Sequence, residues 1–391
     1  MTPAIPSLAP RADFAAVEEA TYLNTASIGL MAAPVLRSMV EFIETIAGRG
    51  TIGFDDDAET RVYETTREAA ARLVGADPID LAITGSATEA LGQVAWLLRP
   101  PNGANVVSID IEFPSVTYPW YRVAEETGCE VRLVRVLDDP AALDDERIIE
   151  HIDERTAVVA ISHSQYATGF TADLRRIAGA AHAVGARLVV DATQSAGIVP
   201  IDVRRDDVDV LVAGAYKWLG GTFGAAAVYL HPELWEGLRP VFLGWKSTER
   251  PFYFDAVDMP LAHGARVLEY STVSYPSGIA LGEAIGYLER LGIDRAMAHA
   301  HALDERLISG LDAIGATVVS PRDPGRRNGS VLARFDGHDD TALALALAGA
   351  GVHVSRRLGG IRFSPHVAND STDIDRALEI VERVVGVGAR G

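Results

Sequence analysis

The sequence of 391 residues lacks most features of secreted and membrane proteins. Its one cysteine, Cys129, cannot form a disulfide within the chain, which is typical of a protein from a reducing compartment. It has no stretch of about 18 uninterrupted apolar residues, so a membrane span is not expected. Residues 1–10 do not have the charged and then apolar pattern of a secretion signal. We therefore predict a cytoplasmic location.

Positive charge is also scarce. The chain has 35 Lys and Arg against 54 Asp and Glu, a net charge of −19, and no basic stripe. Nucleic acids and anionic membrane surfaces are therefore not expected as partners. The H-E-x-x-H, G-x-S-x-G, Walker and CxxC patterns are absent as well, so no metal site is predicted. What the chain does have is 48% hydrophobic residues, enough for a large core.

Short apolar runs alternate with amphipathic segments of helix length as far as about residue 240. This alternation is typical of an α/β fold with a mainly parallel sheet. Seven strands are predicted near 81–84, 105–109, 131–136, 157–162, 187–191, 208–213 and 225–230. Helices are predicted near 35–47, 63–74, 88–98, 116–127 and 174–184.

The regular alternation of strands and helices ends in the last third of the chain, which predicts a smaller α+β domain. Helices are predicted near 278–291, 294–314, 340–348 and 373–384, and strands near 317–320, 331–335, 352–355 and 361–364. We predict a large domain over 15–245 and a small one over 246–391, with residues 1–30 packed against both.

Two charged residues stand beside apolar runs. Lys217 follows the run from Val208 to Ala213 among glycines, and Asp191 ends the run from Leu188. Burial lowers the pKa of a lysine toward the free amine, which can form a Schiff base with a carbonyl. An acid at the end of one strand and a lysine after a later strand are what pyridoxal phosphate requires: the acid keeps the pyridinium proton and the lysine holds the aldehyde. Alternatively, Asp191 caps a turn.

Three further segments carry side chains that suit this cofactor. Gln194 is placed to donate an amide N–H to the phenolic oxygen of the ring. Ser86 and Glu89 form a capping-box pattern, and a helix that begins there offers backbone N–H groups and the Thr88 hydroxyl to a phosphate. Phe113 follows the second strand and is placed either to stack on the pyridine ring or to fill the core.

Further hydroxyl groups and one arginine complete the candidate site. Tyr216, beside the lysine, and Ser271-Thr272 are candidate phosphate ligands. Arg362 lies inside a predicted strand, where a guanidinium needs an anion: either a substrate carboxylate, bound through two hydrogen bonds, or an internal salt bridge. Arg356 and Arg357 are interpreted as charges in solvent or at the rim of the site.

Most of the histidines are interpreted as structural or surface residues, because none has a partner at metal-ligand spacing. His163 and His366 are the exceptions that we expect to line the pocket. The roles of Gln165 and Tyr166 are left open.

These residues resemble the class V aminotransferase family of fold type I pyridoxal phosphate enzymes. The resemblance runs from Tyr22-Leu23-Asn24-Thr25-Ala26 to the last helix, and its most specific parts are Asp191-Ala192-Thr193-Gln194 and Tyr216-Lys217-Trp218-Leu219. It implies that Lys217 carries the cofactor, that Asp191 pairs with the ring nitrogen and that Gln194 contacts the ring oxygen.

The resemblance assigns the remaining positions too. Ala87, Thr88 and Tyr216 would line the phosphate, and Arg362 would bind the substrate α-carboxylate. Thr272 would reach the phosphate of a neighbouring subunit, because the family forms homodimers with shared sites. Phe113 stands where many relatives have a stacking histidine.

The family resemblance leaves the reaction open. The branch is that of cysteine desulfurases, isopenicillin N epimerase-like proteins and C–S lyases, but 355–360, where a desulfurase has its cysteine, contains none. We therefore predict an enzyme that acts on an amino acid through a Cα carbanion or quinonoid, with β-elimination of a cysteine conjugate as the preferred outcome. The alternatives are an aminotransferase, an epimerase and a non-catalytic protein that binds the cofactor. A dehydrogenase is not favoured, because the G-x-G-x-x-G turn is absent.

Overall fold

The computed structural model of the chain describes residues 3–235 and 239–388. Within these ranges, none of the helices combines the length and the apolar character that crossing a membrane requires. The strands are β1 (Thr21–Tyr22), β2 (Leu81–Thr84), β3 (Asn105–Ile109), β4 (Glu130–Val134), β5 (Thr156–Ser162), β6 (Arg187–Asp191), β7 (Val210–Gly214), β8 (Ala226–Leu230), β9 (Thr317–Val318), β10 (Val331–Arg334), β11 (Val352–His353), β12 (Ser355–Arg357) and β13 (Gly360–Phe363).

Helices cover both faces of the larger sheet and build much of the C-terminal part. The α-helices are α1 (Ala16–Glu19), α2 (Ala33–Arg49), α3 (Asp56–Arg61), α4 (Glu64–Val74), α5 (Ala87–Leu98), α6 (Pro114–Thr127), α7 (Asp145–Ile149), α8 (Leu174–Ala183), α9 (Tyr275–Leu291), α10 (Ile293–Ile314), α11 (Asp340–Gly349) and α12 (Ser371–Gly388). The short helices α1, α3 and α7 and the strand β1 are additions to the predicted set.

The larger sheet has seven strands in the order β2-β8-β7-β6-β5-β3-β4. All neighbours are parallel except β8, which runs antiparallel to both β2 and β7. The interiors of the central strands are apolar because helices bury both of their faces, and polar residues stand only at the strand ends. The predicted mainly parallel, seven-stranded α/β sheet is confirmed.

The direction of the strands gathers polar side chains at one edge of this sheet. Ser162 at the end of β5 lies in register with Asp191 at the end of β6, and β7 runs parallel to β6 toward Lys217. β2 also ends at this edge, because two antiparallel pairings bring it back to the direction of β7. The carboxyl edge of an open α/β sheet is where such folds bind ligands.

The C-terminal sheet is antiparallel, with the order β12-β13-β10-β9. The predicted strand 352–355 is two separate strands, since β11 pairs with β1 whereas β12 pairs with β13. The N-terminal segment reaches both regions: Leu23 packs in the C-terminal core, and the Gly29 N–H donates to the carbonyl of Tyr216 at 2.8 Å. The division into domains at 245 and 246 stays a prediction.

Candidate active site

Lys217 is buried and has no hydrogen-bond or ion-pair partner among the described residues; 7% of it is exposed. Its Nζ lies 5.3 Å from the centre of the Phe113 ring and 5.6 Å from that of Tyr216. Burial lowers the pKa of Lys217 from 10.5 to about 8. Asp191 opposes this effect, whereas the positive charges of Arg362 and Arg357 add to it. The amine is therefore in part uncharged near neutral pH, the form that attacks a carbonyl.

The backbone of Lys217 is fixed by the N-terminal segment. Gly29 lies so close that a Cβ at this position would stand 1.8 Å from the Lys217 carbonyl oxygen. Because the contact is with backbone atoms, only glycine fits at 29 without a shift of the loop that carries the lysine.

Two buried carboxylates lie at the same edge of the sheet. Asp191 accepts the Thr193 backbone N–H at 2.9 Å, an arrangement that holds the carboxylate at the end of β6. Glu112 accepts the Ser162 backbone N–H at 2.7 Å and also binds the Ser162 hydroxyl. Burial raises the pKa of Glu112 to about 7, and the charge of Asp191 contributes in the same direction.

Gln194 joins the sheet to the N-terminal segment. Its Nε2 donates to the carbonyl of Ala26 at 3.0 Å, and its Oε1 accepts the Trp218 indole N–H at 2.8 Å. A carboxamide nitrogen carries two hydrogens, so one N–H of Gln194 is left for a ligand. The predicted contact with a ring oxygen is compatible with these bonds and stays a prediction.

Two helices begin side by side at this edge. Ser86 caps α5, since its Oγ accepts the Glu89 backbone N–H at 3.1 Å. The predicted capping box is half formed, because the Glu89 carboxylate lies against Gly85 rather than the backbone of Ser86. Thr88 in α5 and Ser115 in α6 share a hydrogen bond of 2.7 Å between their hydroxyl oxygens. The positive ends of α5 and α6, with their free backbone N–H groups, can hold a phosphate here.

Aromatic rings surround the amine. Phe113 is 40% exposed rather than part of the core, which removes the core alternative and leaves one side of its ring open for stacking. Its edge contact with Tyr166 joins ring centres 5.7 Å apart. Tyr216 packs at 4.8 Å on Phe223, and burial, together with the charge of Asp191, raises the pKa of its hydroxyl.

Arg362 is completely buried on β13 and forms no salt bridge in the described chain. Its guanidinium donates to the Tyr166 carbonyl and, at 2.7 Å, to the Ser27 hydroxyl, whereas its Nε has no partner among described atoms. Burial lowers the pKa of Arg362 to about 9, so the group stays charged at neutral pH. The described chain therefore does not contain the internal salt bridge that was the alternative, and the binding of a substrate carboxylate by Arg362 stays a prediction.

The two arginines before the hairpin turn, Arg356 and Arg357, have different surroundings. Arg356 is exposed and pairs with Asp340 at 3.2 Å, as expected of a solvated charge. Arg357 instead turns inward: its Nη2 lies 3.4 Å from the Ser27 hydroxyl, and its guanidinium carbon 6.0 Å from the centre of the Tyr166 ring. Arg357 is half-buried beside Arg362, which agrees with the interpretation of a charge at the rim of the site rather than one in free solvent.

The structure shows the surroundings of Gln165 and of the two histidines, His163 and His366. The side chain of Gln165 is occupied with its own loop: its oxygen accepts the Ala167 N–H at 2.7 Å, and its nitrogen donates to Ile111. His163 and His366 are buried, and burial lowers their pKa values to about 4 and about 3, respectively. The His366 ring stands against the edge of Trp218 at 5.3 Å, so it stays a neutral packing residue.

Thr272 is exposed and hydrogen-bonds Tyr275 within its own chain. Its contact with a neighbouring subunit stays a prediction. Ser27 was missed by the sequence analysis, although it directly follows the stretch Tyr22–Ala26 that carries the resemblance. Its position next to this stretch was the only sequence signal for Ser27, because a single serine forms no recognisable motif.

The residues present suit pyridoxal phosphate. A buried amine without a partner, a buried carboxylate, an open aromatic face and two helix N-termini lie at one edge of the sheet. Arg362, with an unpaired Nε, adds a site for an acidic substrate group. This fold and this site define the class: an α/β protein with the fold type I architecture of enzymes that use pyridoxal phosphate.

The particular family follows from the sequence profile of Aminotransferase class-V, which matches residues 21–376. The chain belongs to this family and is a pyridoxal-phosphate-dependent enzyme. The uncharacterized aminotransferase YcbU of Bacillus subtilis (strain 168) is 29% identical over 366 residues, which cover 94% of this chain and 95% of that protein. A probable cysteine desulfurase of Synechocystis sp. is 30% identical over 347 residues, which cover 85% and 81%.

Solved structures agree on the fold. The apo structure of cysteine desulfurase from Thermococcus onnurineus NA1 matches with a TM-score of 0.87 at 24% identity and covers 96% of this chain and 97% of that one. The complex of the cystine C–S lyase C-DES with its product cysteine persulfide matches with a TM-score of 0.85 at 23% identity and covers 94% and 99%.

Proposed function

We propose that the protein is a lyase that removes a β-substituent, joined through sulfur, from an amino acid. The observation that carries this proposal is the pair formed by Arg362 and Lys217. Arg362 is a buried cation without an anion, and Lys217 is a buried amine without a partner, close enough for the charge of Arg362 to lower its pKa. An amino acid whose α-carboxylate is bound by Arg362 has its Cα near the amine of Lys217.

In this proposal each residue has one task. Arg362 would orient the substrate carboxylate through its guanidinium, Asp191 would keep the ring nitrogen protonated, and Phe113 would cover one face of the ring. Pyridoxal phosphate, held by Lys217 and at the N-termini of α5 and α6, withdraws electrons from Cα when it is bound. Gln194 would offer its remaining N–H to the ring oxygen. The phosphate would be held by Ser86, Ala87, Thr88 and Tyr216.

Lys217 moves the proton. Its free amine would take the proton from Cα of the bound substrate. The electron pair left at Cα forms the Cα=Cβ bond, and the Cβ–S bond breaks with its electrons on the departing sulfur. The lowered pKa of Lys217 suits this role because a base works best when its pKa is near the working pH.

Persulfide transfer does not fit the chain. The hairpin 355–360 beside Arg362 contains no cysteine. Cys129 is buried directly before the amino end of β4, whereas Asp191 lies at the carboxyl end of the parallel strand β6. A strand of five residues spans about 16 Å, so the thiol is on the far side of the sheet.

A homodimer with shared sites is part of the proposal. The outer face of α2 leaves Leu36, Val40 and Ile43 exposed, and Phe242, Phe254 and Val257 are exposed as well. Such apolar surface supports contact with a second copy. In that dimer, Thr272 adds its hydroxyl to the phosphate site of the neighbouring subunit.

The experiment is a product analysis of the holoenzyme with S-alkyl cysteines and common amino acids. A lyase releases a thiol, pyruvate and ammonia in equal amounts, and Lys217→Ala loses both turnover and the visible absorbance of the bound cofactor. Cys129→Ala keeps full turnover. Sulfur found as a persulfide on Cys129, or unchanged absorbance in Lys217→Ala, would refute the proposal.

An aminotransferase is the second candidate, supported by the likeness to YcbU over 94% of the chain. It needs the same use of Arg362 and Lys217, with the proton returned to the cofactor carbon. The same assay separates the two reactions: transamination yields a keto acid that keeps the β-substituent, consumes an added keto acid and releases no thiol.

A further inference from the structure

We propose that Arg357 is a second anion-binding residue of the site, and that the substrate therefore carries an acidic group in its side chain or leaving group besides its α-carboxylate. The proposal rests on the proposed function for the position of the substrate. It extends that function by naming the class of substrate.

The backbone of Arg357 is held rigidly. It pairs with Gly360 across a hairpin whose two loop residues, Leu358 and Gly359, have φ values of 45° and 71°. Positive φ at both loop residues is typical of a tight type I′ turn. Arg334 fixes the turn from the next strand, since its guanidinium donates to the Leu358 carbonyl at 3.0 and 3.2 Å. The position of Arg357 is therefore set by the sheet, not by a mobile loop.

The side chain of Arg357 points toward Arg362. Both guanidinium groups contact the Ser27 hydroxyl, Arg362 at 2.7 Å and Arg357 at 3.4 Å. The two Nη2 atoms therefore lie no more than about 6 Å apart, the combined length of these contacts. Tyr166 touches both groups, with its carbonyl at Arg362 and its ring beneath Arg357.

No carboxylate of the described chain forms a salt bridge with either arginine. Acidic residues are not scarce, since the protein as a whole has 54 of them. The adjacent Arg356 forms an ion pair with one, Asp340. Like charges at this separation repel each other, and the repulsion extends to Lys217, whose pKa Arg357 lowers. Two guanidinium groups that converge beside Lys217 without a salt-bridge partner in the described chain indicate that more than one negative charge arrives with the ligands.

One α-carboxylate does not account for both arginines. A carboxylate is bound best by one guanidinium, which supplies two parallel N–H donors, and the completely buried Arg362 is suited to this. Arg357 lies at the more open side and donates one N–H to its neighbour's carbonyl, that of Arg356, at 2.6 Å. Its remaining donors fit a second carboxylate or a sulfonate at the distal end of the substrate.

The test compares ligands that differ in one acidic group. With the holoenzyme, the probes are glutarate and pentanoate, which have the same number of carbons, and S-(2-carboxyethyl)-L-cysteine and S-propyl-L-cysteine. Binding is measured by calorimetry, and KM and kcat are measured for the two cysteine derivatives. We expect the wild type to bind glutarate about 10- to 100-fold more tightly than pentanoate, the range of one charge-assisted pair.

The variant Arg357→Gln is expected to abolish this preference, mainly through a higher KM for the acidic substrate. Because the charge of Arg357 also lowers the pKa of Lys217, any change in kcat is expected to be by the same factor for both cysteine derivatives. Arg357→Lys keeps the charge and retains part of the preference. Arg356→Gln is the matched control: it removes the same charge one residue away, from an exposed ion pair, and keeps the full preference.

Two results would overturn the proposal: no preference for the acidic probe in the wild type, or an equal loss of affinity for both probes in Arg357→Gln. The second result would assign Arg357 to the α-carboxylate. Binding of glutarate separates this proposal from the lyase proposal, because it needs no turnover. A preserved preference without thiol release refutes only the lyase, whereas thiol release without a preference refutes only the role of Arg357.

Discussion

The chain has only two lysines among its 35 basic residues, and the two occupy comparable surroundings with different outcomes. Both Lys217 and Lys246 are largely buried among aromatic rings. Lys246 has a carboxylate partner, Glu59, at 2.9 Å, and it also donates to the Tyr275 hydroxyl. Lys217 has no such partner within the described chain.

The difference shows what makes a buried lysine reactive. Aromatic contact is shared, so it does not distinguish the two. What differs is the ion pair, because Glu59 compensates the charge of Lys246. Burial lowers the pKa of Lys217 to about 8, although the charge of Asp191 acts to raise it. A missing partner converts a packing residue into a nucleophile and base.

The largest expected difference between the two lysines is in the covalent attachment of the cofactor. Borohydride reduction of the holoenzyme, followed by proteolysis and mass spectrometry, is expected to find the cofactor on Lys217 and none on Lys246. The reason is that Lys217 supplies the uncharged amine. Since the chain has no third lysine, the two outcomes cannot be confused. Label on Lys246 would break the comparison, and Lys217→Ala is the control that must lose the label.

The second expected effect is the pH dependence of cofactor uptake. Because the pKa of Lys217 is lowered from 10.5 to about 8, the neutral amine becomes dominant above pH 8 instead of above 10.5. The rate at which the apoenzyme gains visible absorbance with added pyridoxal phosphate should rise about tenfold per pH unit below 8 and then level off.

Arg357→Gln sharpens this measurement. The positive charge of Arg357 lowers the pKa of Lys217, so its removal should move the midpoint to higher pH. Arg356→Gln, which changes an exposed pair, should leave the midpoint in place. A rate that keeps rising to pH 10 in the wild type would contradict the lowered pKa.

Much of this site could be predicted from local sequence. A charged residue at the end of an apolar run marks the edge of a sheet, and this marked both Asp191 and Lys217; the bounds of β2, β3 and β6 followed from the same runs. The apolar patterns did not show that β8 is antiparallel, because its direction depends on its neighbours and not on its own residues.

Contacts between distant segments account for what was missed. Ser27 contacts Arg357 and Arg362, which are more than 300 residues away in the sequence. A single serine belongs to no periodic pattern from which such a contact could be predicted. The inward direction of Arg357 depends on the hairpin at Leu358 and Gly359, where a leucine adopts a positive φ that its residue type does not favour. Charge in the sequence therefore indicated Arg362 as a candidate anion site but not Arg357, which we propose as its second residue.

The smallest expected effect concerns the stability that Lys246 provides. Lys246→Met leaves Glu59 without its cation in a site where the Glu59 side chain is only 21% exposed. We expect the free energy of unfolding to fall by about 2 kcal/mol, below the range for fully buried pairs because both groups keep some contact with water. Urea denaturation of the apoenzyme measures this change without any contribution from the cofactor.

The control is the double variant Lys246→Met with Glu59→Gln, which removes both charges. It should be more stable than Lys246→Met alone, because most of the loss comes from the unpaired carboxylate and not from the missing attraction. Lys217→Met should not destabilise the apoenzyme, since no ion pair is broken there and a buried charge is removed. Equal destabilisation by the two Lys→Met changes would show that the lysines are equivalent and that the missing partner of Lys217 has no energetic consequence.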